Sequence, residues 1–493
     1  MTDESQREEI LVNVTPREVR AALLENGFLQ EVHIERAARR GLISNIYKGK
    51  VSRVLPGMQA AFIDIGLERT GFLHASDISN GHSPDAADAT TPDIRELIRE
   101  GSEVVVQVVK DPLGTKGARL STFITLPSRF LVLLPAGSGV GVSARIEDEG
   151  ERERLRTMLE DMLQGLDEPG GVIIRTAAEG APAEALRADL NFLLKIWSAV
   201  QLKCSKGKVK TLIHEDLPLP IRIMRDMVTS DVEQILVDSD EDFASMKAFA
   251  ASFLPELEPK LVHYKKRRPI FDLHGVEDEI KKSLDRSIPL KSGGYAIFDQ
   301  TEAMTTVDVN TGGYVGHRNL EETIYRTNLE AAVAIARQLR LRNLGGIIII
   351  DFIDMEVEEH RNRVMEVLEK SLARDHARHH LTPVSPLGLV EMTRKRTRES
   401  LQRILCKDCS YCNSRGFIMS AETVCFEVFR EVIRQHRQFT FDELLVLAHQ
   451  DVIDLLLDEE SNGLLELEQQ IGKPIRLQPE SLYLLDQFDV VLI

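Results

Sequence analysis

The sequence predicts a multidomain chain of mixed α/β and β architecture, and three observations carry that expectation. A length of 493 residues exceeds what one hydrophobic core organises, so three or more domains are expected. Residues 292–355 read as strand, helix, strand, the unit that builds a parallel sheet. Residues 41–124 change to short β runs punctuated by Gly and Pro, which suits a small five-stranded barrel.

Hydrophobic content of 43% and charged content of 28% describe an ordinary globular composition and exclude a disordered chain. No run approaches the roughly 20 apolar residues of a membrane helix. The start, Met1 to Arg7, is polar, with no export segment behind it. A cytoplasmic protein without a membrane partner is expected. The formal net charge of −17 by itself argues against a nucleic-acid partner, yet the basic residues are bunched: Arg36 to Arg40, Lys48 to Arg53, Lys110 to Arg119, Lys265 to Arg268 and Arg394 to Arg398. Local fields, not net charge, decide where a polyanion docks.

Residues 10–40 look like two short strands, Ile10 to Val14 and Glu31 to Ile34, too little to fold alone. In the barrel region the runs Asn45 to Val51, Ala60 to Gly66, Gly71 to His74 and Glu103 to Val108 read as strands, with a surface loop over 78–95. The basic loop Lys110 to Arg119 contains glycines but lacks the full nucleotide phosphate-loop pattern, so ATP use is not expected. Over 125–220, Phe130 to Leu134 and Gly171 to Thr176 read as strands flanking a charged helix near 150–164. Arg175 and Thr176 then put a guanidinium fork and a hydroxyl at a strand end, which suits a terminal phosphate monoester or, more plainly, a structural ion pair.

Alternation from Ala303 to Asn310 predicts a strand that ends in a carboxylate, Asp308. Asn319 with Glu322 makes a helix cap, and Leu320, Ile324, Ala331, Ile335 and Leu339 recur at helical spacing up to Gly345-Gly346, with Asn328 the one polar residue on that stripe. Four isoleucines, Ile347 to Ile350, then predict a strand buried on both faces and ending at Asp351. If the strands are neighbours, Asp308 and Asp351 lie about 5 Å apart at the edge where open α/β sheets bind ligands. Asn310 points to the same side. A buried pair of this kind would repel unless a cation lies between them or one stays protonated. Oxygen-only ligands favour Mg²⁺ or Mn²⁺ over zinc. The bland alternative is that both aspartates cap loops.

A charged helix over about 356–377 leads to Arg378, and Gly388 to Arg398 reads as a strand with a basic end flanking the site. Cys406-Lys407-Asp408-Cys409-Ser410-Tyr411-Cys412 is a metal-knuckle signal in a chain with five cysteines. One C-x-x-C supplies two of four zinc ligands, so the same motif from another chain is the simplest completion. Cys204 and Cys425 stand alone. Residues 420–493 read as a small α/β domain without a catalytic cluster.

The runs Gln300 to Asn310, Ala336 to Arg342 and Gly345 to Met355 closely resemble the ribonuclease E/G family of bacterial endoribonucleases, and the resemblance extends over essentially the whole chain. It implies a ribonuclease H-like subdomain formed by 1–40 and 221–283, an S1-type OB-fold RNA-binding domain over 41–124 and a 5′-phosphate sensor over 125–220. A DNase I-like catalytic subdomain over 284–403, a zinc link over 404–419 and the small domain 420–493 complete it. The family's positions fall on Asp308, Asn310 and Asp351 for catalysis with Mg²⁺ and on Arg175, Thr176, Val132 (through its backbone N–H) and Arg378 for a 5′-monophosphate. Phe62, Phe72 and Lys116 match the RNA-contacting positions. Cys409 and Cys412 match the zinc pair shared between chains, with Cys406 an alternative, so that a homodimer or larger assembly is implied. Ser128 departs from the glycine often found in the family. The implied activity is Mg²⁺-dependent cleavage of single-stranded, A/U-rich RNA bearing a 5′-monophosphate, leaving 5′-phosphate ends, with roles in 16S rRNA 5′-end maturation and mRNA decay. The rival reading is a non-catalytic OB-fold RNA-binding factor with a zinc-linked dimerisation module.

Overall fold

The computed structural model describes every residue except 1–6, 38–40, 80–91, 113–116, 167–169, 230, 314–319 and 397. Most of the loop expected over 78–95, the Asn319 cap and Lys116 therefore lie outside the described residues. The chain divides into two compact units, residues 1–404 and 405–493. Among the described residues no helix is long and apolar enough to cross a membrane.

The sheet that carries Asp308 and Asp351 has six strands, in the order Ser287–Pro289, Tyr295–Gln300, Met304–Asn310, Gly346–Asp351, Leu389–Arg394 and His379–Leu381. Met304–Asn310 runs parallel to Gly346–Asp351, and both are flanked by antiparallel neighbours. The helix Leu320–Leu341 makes the crossover between them and, with Glu358–Leu372, covers one face. Ala331, Ile335 and Leu339 pack there against Val307, Val309, Ile348 and Ile350, and Val364, Leu368 and Leu372 extend the same core. The other face is open. The isoleucine run is accordingly not buried on both sides: Ile348 and Ile350 are buried, Ile349 is half-buried and Ile347 is 47% exposed. A sheet with antiparallel neighbours can leave one face uncovered, and this one does.

The barrel closes with the strands Ile46–Leu55, Ala60–Asp64, Gly71–His74, Arg119–Ser121 and Glu103–Lys110, the last pairing back onto the first. Gly49 permits the closure, because a Cβ there would stand 2.5 Å from the Ile63 side chain.

At the N-terminus three strands stand where two were expected: Glu8–Thr15, Glu18–Glu25 and Phe28–Arg36, in one sheet with Val232–Val237 and Leu261–His263. The missed strand, Glu18–Glu25, is buried continuously from Ala21 to Glu25, so it shows no alternation. Its signal was the turn Asn26-Gly27, both at positive φ (51° and 78°), which closes a hairpin.

A four-stranded sheet, Val140–Val142, Gly171–Ile174, Leu131–Leu134 and Leu126–Pro127, carries Arg175 at a strand end. It packs against the helices Glu149–Leu163 and Ala183–Lys206. The second helix was not anticipated, although Leu186, Leu190, Leu193 and Val200 lie on its buried stripe. Residues 405–493 form a three-stranded sheet (Ile475–Pro479, Leu444–Ala448, Phe488–Leu492) with the helices Ala421–Gln438, Gln450–Leu457 and Ser461–Ile471.

Charged groups are buried where the N-terminal sheet meets the helix Leu320–Leu341. Arg340 donates to Glu25 at 2.8 Å and to Glu31 at 3.1 Å, all three nearly inaccessible. The basic run Arg394 to Arg398 needs correction as an RNA-facing patch. Arg394 is buried in a bidentate pair with Asp375 (2.5 and 2.9 Å), Arg396 donates to the Gly345 carbonyl (2.9 Å) and Arg398 to His33 (2.9 Å). Only Lys395 and Arg396 are exposed on it among the described residues.

Candidate active site and nucleic-acid interface

Asp308 and Asp351 are register partners on adjacent parallel strands. Alternation puts both on the open face, in a row across the sheet that runs Ile297, Asp308, Asp351, Leu389. Asn310 follows on the same face, and its Nδ2 donates to Asp308 Oδ2 at 2.9 Å. Both carboxylates are exposed, which corrects the buried pair expected from the isoleucine run. Asp308 still acts on its neighbour. Partial burial, then the charge of Asp308, then that of Asp354 push the Asp351 carboxyl above its ordinary range. A cation relieves that repulsion, and the donor set is all oxygen, the chemistry of a hard divalent ion with several waters. No cluster of three or more His, Cys, Asp or Glu side chains poised for a metal occurs among the described residues, so the site offers a pair and an amide. A cavity of about 380 Å³ opens elsewhere, among His33, Arg36, Arg222, Arg225 and Arg398. The aspartates instead lie on an uncovered sheet, a shape suited to a polymer.

Arg175 follows the strand Gly171–Ile174, and Val132 pairs with Ile173 beside it. The Arg175 guanidinium is already held, donating to the Ser128 carbonyl and to Asp226 Oδ1 at 3.0 Å. Although burial works against its charge, Arg225 and then Arg175 hold the Asp226 carboxyl below the usual range. Ser128 donates its hydroxyl to buried Asp189 at 2.5 Å. Thr176 Oγ1 stands 3.0 Å from Ser143 Oγ. Arg145, not singled out in the sequence, donates its backbone N–H to Ser143 Oγ and its guanidinium to the His376 carbonyl at 3.3 Å. That contact ties the segment around Ser143 to the one bearing exposed Arg378. Arg175, Thr176 and Val132 are thus brought together locally, with Arg378 two residues from a contact of Arg145.

Phe62 and Phe72 are cross-strand partners on the barrel, half-buried, edge to face at 6.1 Å. Arg53 pairs with Phe62 and Arg119 with Phe72 from the strands on either side, so cations border the two rings.

Cys406 and Cys409 are exposed and Cys412 is half-buried; all are free thiols. The backbone N–H groups of Cys412 and Tyr411, then the Cys412 side chain, pull the Cys409 thiol below its ordinary value. Ser414 N–H donates to the Cys409 carbonyl at 3.2 Å and Arg415 N–H to that of Cys412 at 2.9 Å. A turn that aims N–H groups at sulfur stabilises the thiolate a metal requires. By contrast, burial pushes the Cys425 thiol up to about 11 and also raises that of Cys204.

The model of the ribonuclease E/G family matches residues 125–397, and that of the S1 RNA binding domain matches residues 43–123. The chain is 54% identical over 488 residues to Ribonuclease G of Salmonella typhimurium (strain SL1344), covering 98% of this chain and 99% of that protein. It is 54% identical over 489 residues to Ribonuclease G of Haemophilus influenzae, at 98% and 99% coverage. Ribonuclease E of Escherichia coli (strain K12) is 36% identical over 465 residues, which span 93% of this chain and 43% of that protein.

Proposed function

Because the chain belongs to the ribonuclease E/G family, we propose that it is a divalent-metal-dependent endoribonuclease, of the ribonuclease G type, that binds single-stranded RNA on its S1 barrel and cuts it beside Asp308 and Asp351. The carrying observation is the in-register carboxylate pair on one open sheet face, with Asn310 bonded to Asp308. The similarity to the ribonuclease G relatives (54%) against ribonuclease E (36%) supports the type.

In this reading the sheet 287–394 is the DNase I-like catalytic subdomain, and the five strands drawn from 8–36 and 232–263 are the ribonuclease H-like one. Asp308 and Asp351 hold Mg²⁺, or Mn²⁺ in its place. When bound, the cation supplies activation of water and neutralises charge on the scissile phosphate. Asn310 fixes the Asp308 carboxylate by donating to one oxygen. Hydrolysis then leaves a 5′-phosphate and a 3′-hydroxyl. Phe62 and Phe72 offer faces on which bases stack, and Lys116 with the bordering arginines holds the backbone.

Arg175, Thr176, Arg378 and the N–H of Val132 receive a 5′-monophosphate, Asp226 and the Ser128 carbonyl holding the Arg175 fork in one orientation. Cys409 and Cys412, or Cys406 in place of one of them, share a zinc ion with the same pair of a second copy. Kinship points to A/U-rich sites in precursor 16S rRNA and in mRNA as substrates in the cytoplasm.

Cleavage of a fluorescent A/U-rich oligonucleotide tests this reading: it requires Mg²⁺ and stops with EDTA. Turnover undiminished in EDTA would favour the rival, a binding factor contaminated by another nuclease. In the same assay Arg175→Ala is expected to lower the rate on 5′-monophosphorylated RNA to that on hydroxyl-ended RNA. A wild type that cuts both equally would remove the sensor. Cys409→Ser is expected to lose zinc and to give the monomer mass; an unchanged dimer would contradict the shared site.

A further inference from the structure

A buried amide on a helix that packs against a sheet needs partners, since an unpaired one keeps the full cost of its lost hydration. Asn328 lies wholly buried in the helix Leu320–Leu341. Both ends of its amide are used, and on a single residue. Nδ2 donates to the Ile353 carbonyl at 2.7 Å, and Oδ1 accepts from the Ile353 N–H at 3.1 Å. This is the pairing a neighbouring strand would supply, applied by a side chain just past the sheet edge. Asp351 is the last residue of its strand, and residues 352–357 have no ladder of their own.

Seven positions earlier on the helix, Glu321 gives the same segment a second hold. Its carboxylate accepts from the N–H groups of Glu356 (3.4 Å) and Val357 (3.3 Å) and meets His360 Nδ1 at 2.9 Å. Tyr325 stacks on that imidazole at 4.1 Å. Phe352, directly after Asp351, is buried in the core.

We infer that Asn328 is a positioning residue for Asp351: by clamping both polar groups of the Ile353 peptide it fixes the backbone that aims the Asp351 carboxylate at the shared cation. This rests on Asp308 and Asp351 being the cation's ligands. Such ligands must be held to within about 0.5 Å, and removing an outer partner typically costs about 10–100-fold in metal affinity or activity.

The test compares Asn328→Leu, of similar volume but without hydrogen bonds, with Thr327→Val. Thr327 is buried next to Asn328 and its hydroxyl donates within the helix, to the Thr323 carbonyl, so its loss reports helix stability and leaves the Ile353 clamp in place. Three readouts are taken: hydrogen exchange at Ile353 in metal-free protein, Mn²⁺ binding by electron paramagnetic resonance without RNA, and kcat and KM on the oligonucleotide. For Asn328→Leu the Ile353 amide exchanges faster, Mn²⁺ affinity falls about tenfold or more and kcat falls about 10–100-fold, while KM stays within about twofold. Thr327→Val matches the wild type in all three. Folded Asn328→Leu that binds Mn²⁺ and turns over like the wild type overturns the inference, as do equal losses in Thr327→Val. If wild-type Mn²⁺ binding survives loss of both Asp308 and Asp351, the metal reading itself fails and the inference goes with it; a normal wild type beside a normal Asn328→Leu sinks the inference alone.

Discussion

Asp308→Asn lowers cleavage by about three orders of magnitude or more. The substitution keeps the side chain's shape but removes one of two negative charges, and transition-state charge stabilisation by a bound cation is worth several kcal/mol, at roughly 1.4 kcal/mol per tenfold in rate. RNA binding survives, because the rings proposed to stack bases stand on the barrel and not on the sheet of Asp308. A gel-shift assay beside the cleavage assay separates the two effects. Adding Phe62→Ala to this inactive protein weakens RNA binding by about 1–3 kcal/mol, the cost of one stacking platform. Cleavage by Asp308→Asn within tenfold of the wild type would take the carboxylate pair out of the chemistry.

Asp375→Ala gives the largest expected loss of stability. Asp375 and Arg394 are bonded twice, with side chains 2% and 4% exposed. Removing one partner of a buried pair strands the other charge and costs about 3–5 kcal/mol. Arg394 also donates to the Leu344 carbonyl at 2.8 Å, so the damage reaches the turn that starts the Asp351 strand. Unfolding in urea measures it. The double variant Asp375→Leu with Arg394→Met recovers most of the loss, since an apolar pair needs no partner charges. A loss below about 1 kcal/mol in the single variant would show that water reaches Arg394.

The neighbouring carboxylates Asp308 and Asp351 were legible because short-range patterns suffice to place them. Alternation placed Asp308 at a strand end, the isoleucine run placed Asp351 at another, and a helical crossover of fixed hand made them neighbours. The barrel was legible for the same reason, as its runs are bounded by Gly and Pro. What escaped depends on contacts distant in sequence. Nothing local shows that helices cover only one face of the sheet, so Ile347 looked internal. Arg394 and Arg398 looked like a phosphate-binding run because Asp375 and His33, which hold them, lie 19 and 365 positions away. The Arg175 fork is tied to Asp226, on another sheet's helix, which no pattern near Arg175 reveals. Glu18–Glu25 was lost to its own burial, where alternation vanishes, although Asn26-Gly27 marked the turn.

On the proposed reading, Asp308 and Asp351 grip one cation. Anomalous diffraction from crystals grown with Mn²⁺ tests it most directly. A single peak is expected about 2–2.3 Å from one oxygen of each carboxylate, absent in Asp308→Asn crystals under the same conditions. A Mn²⁺ peak bound elsewhere, with both carboxylates bare in an active protein, would contradict it.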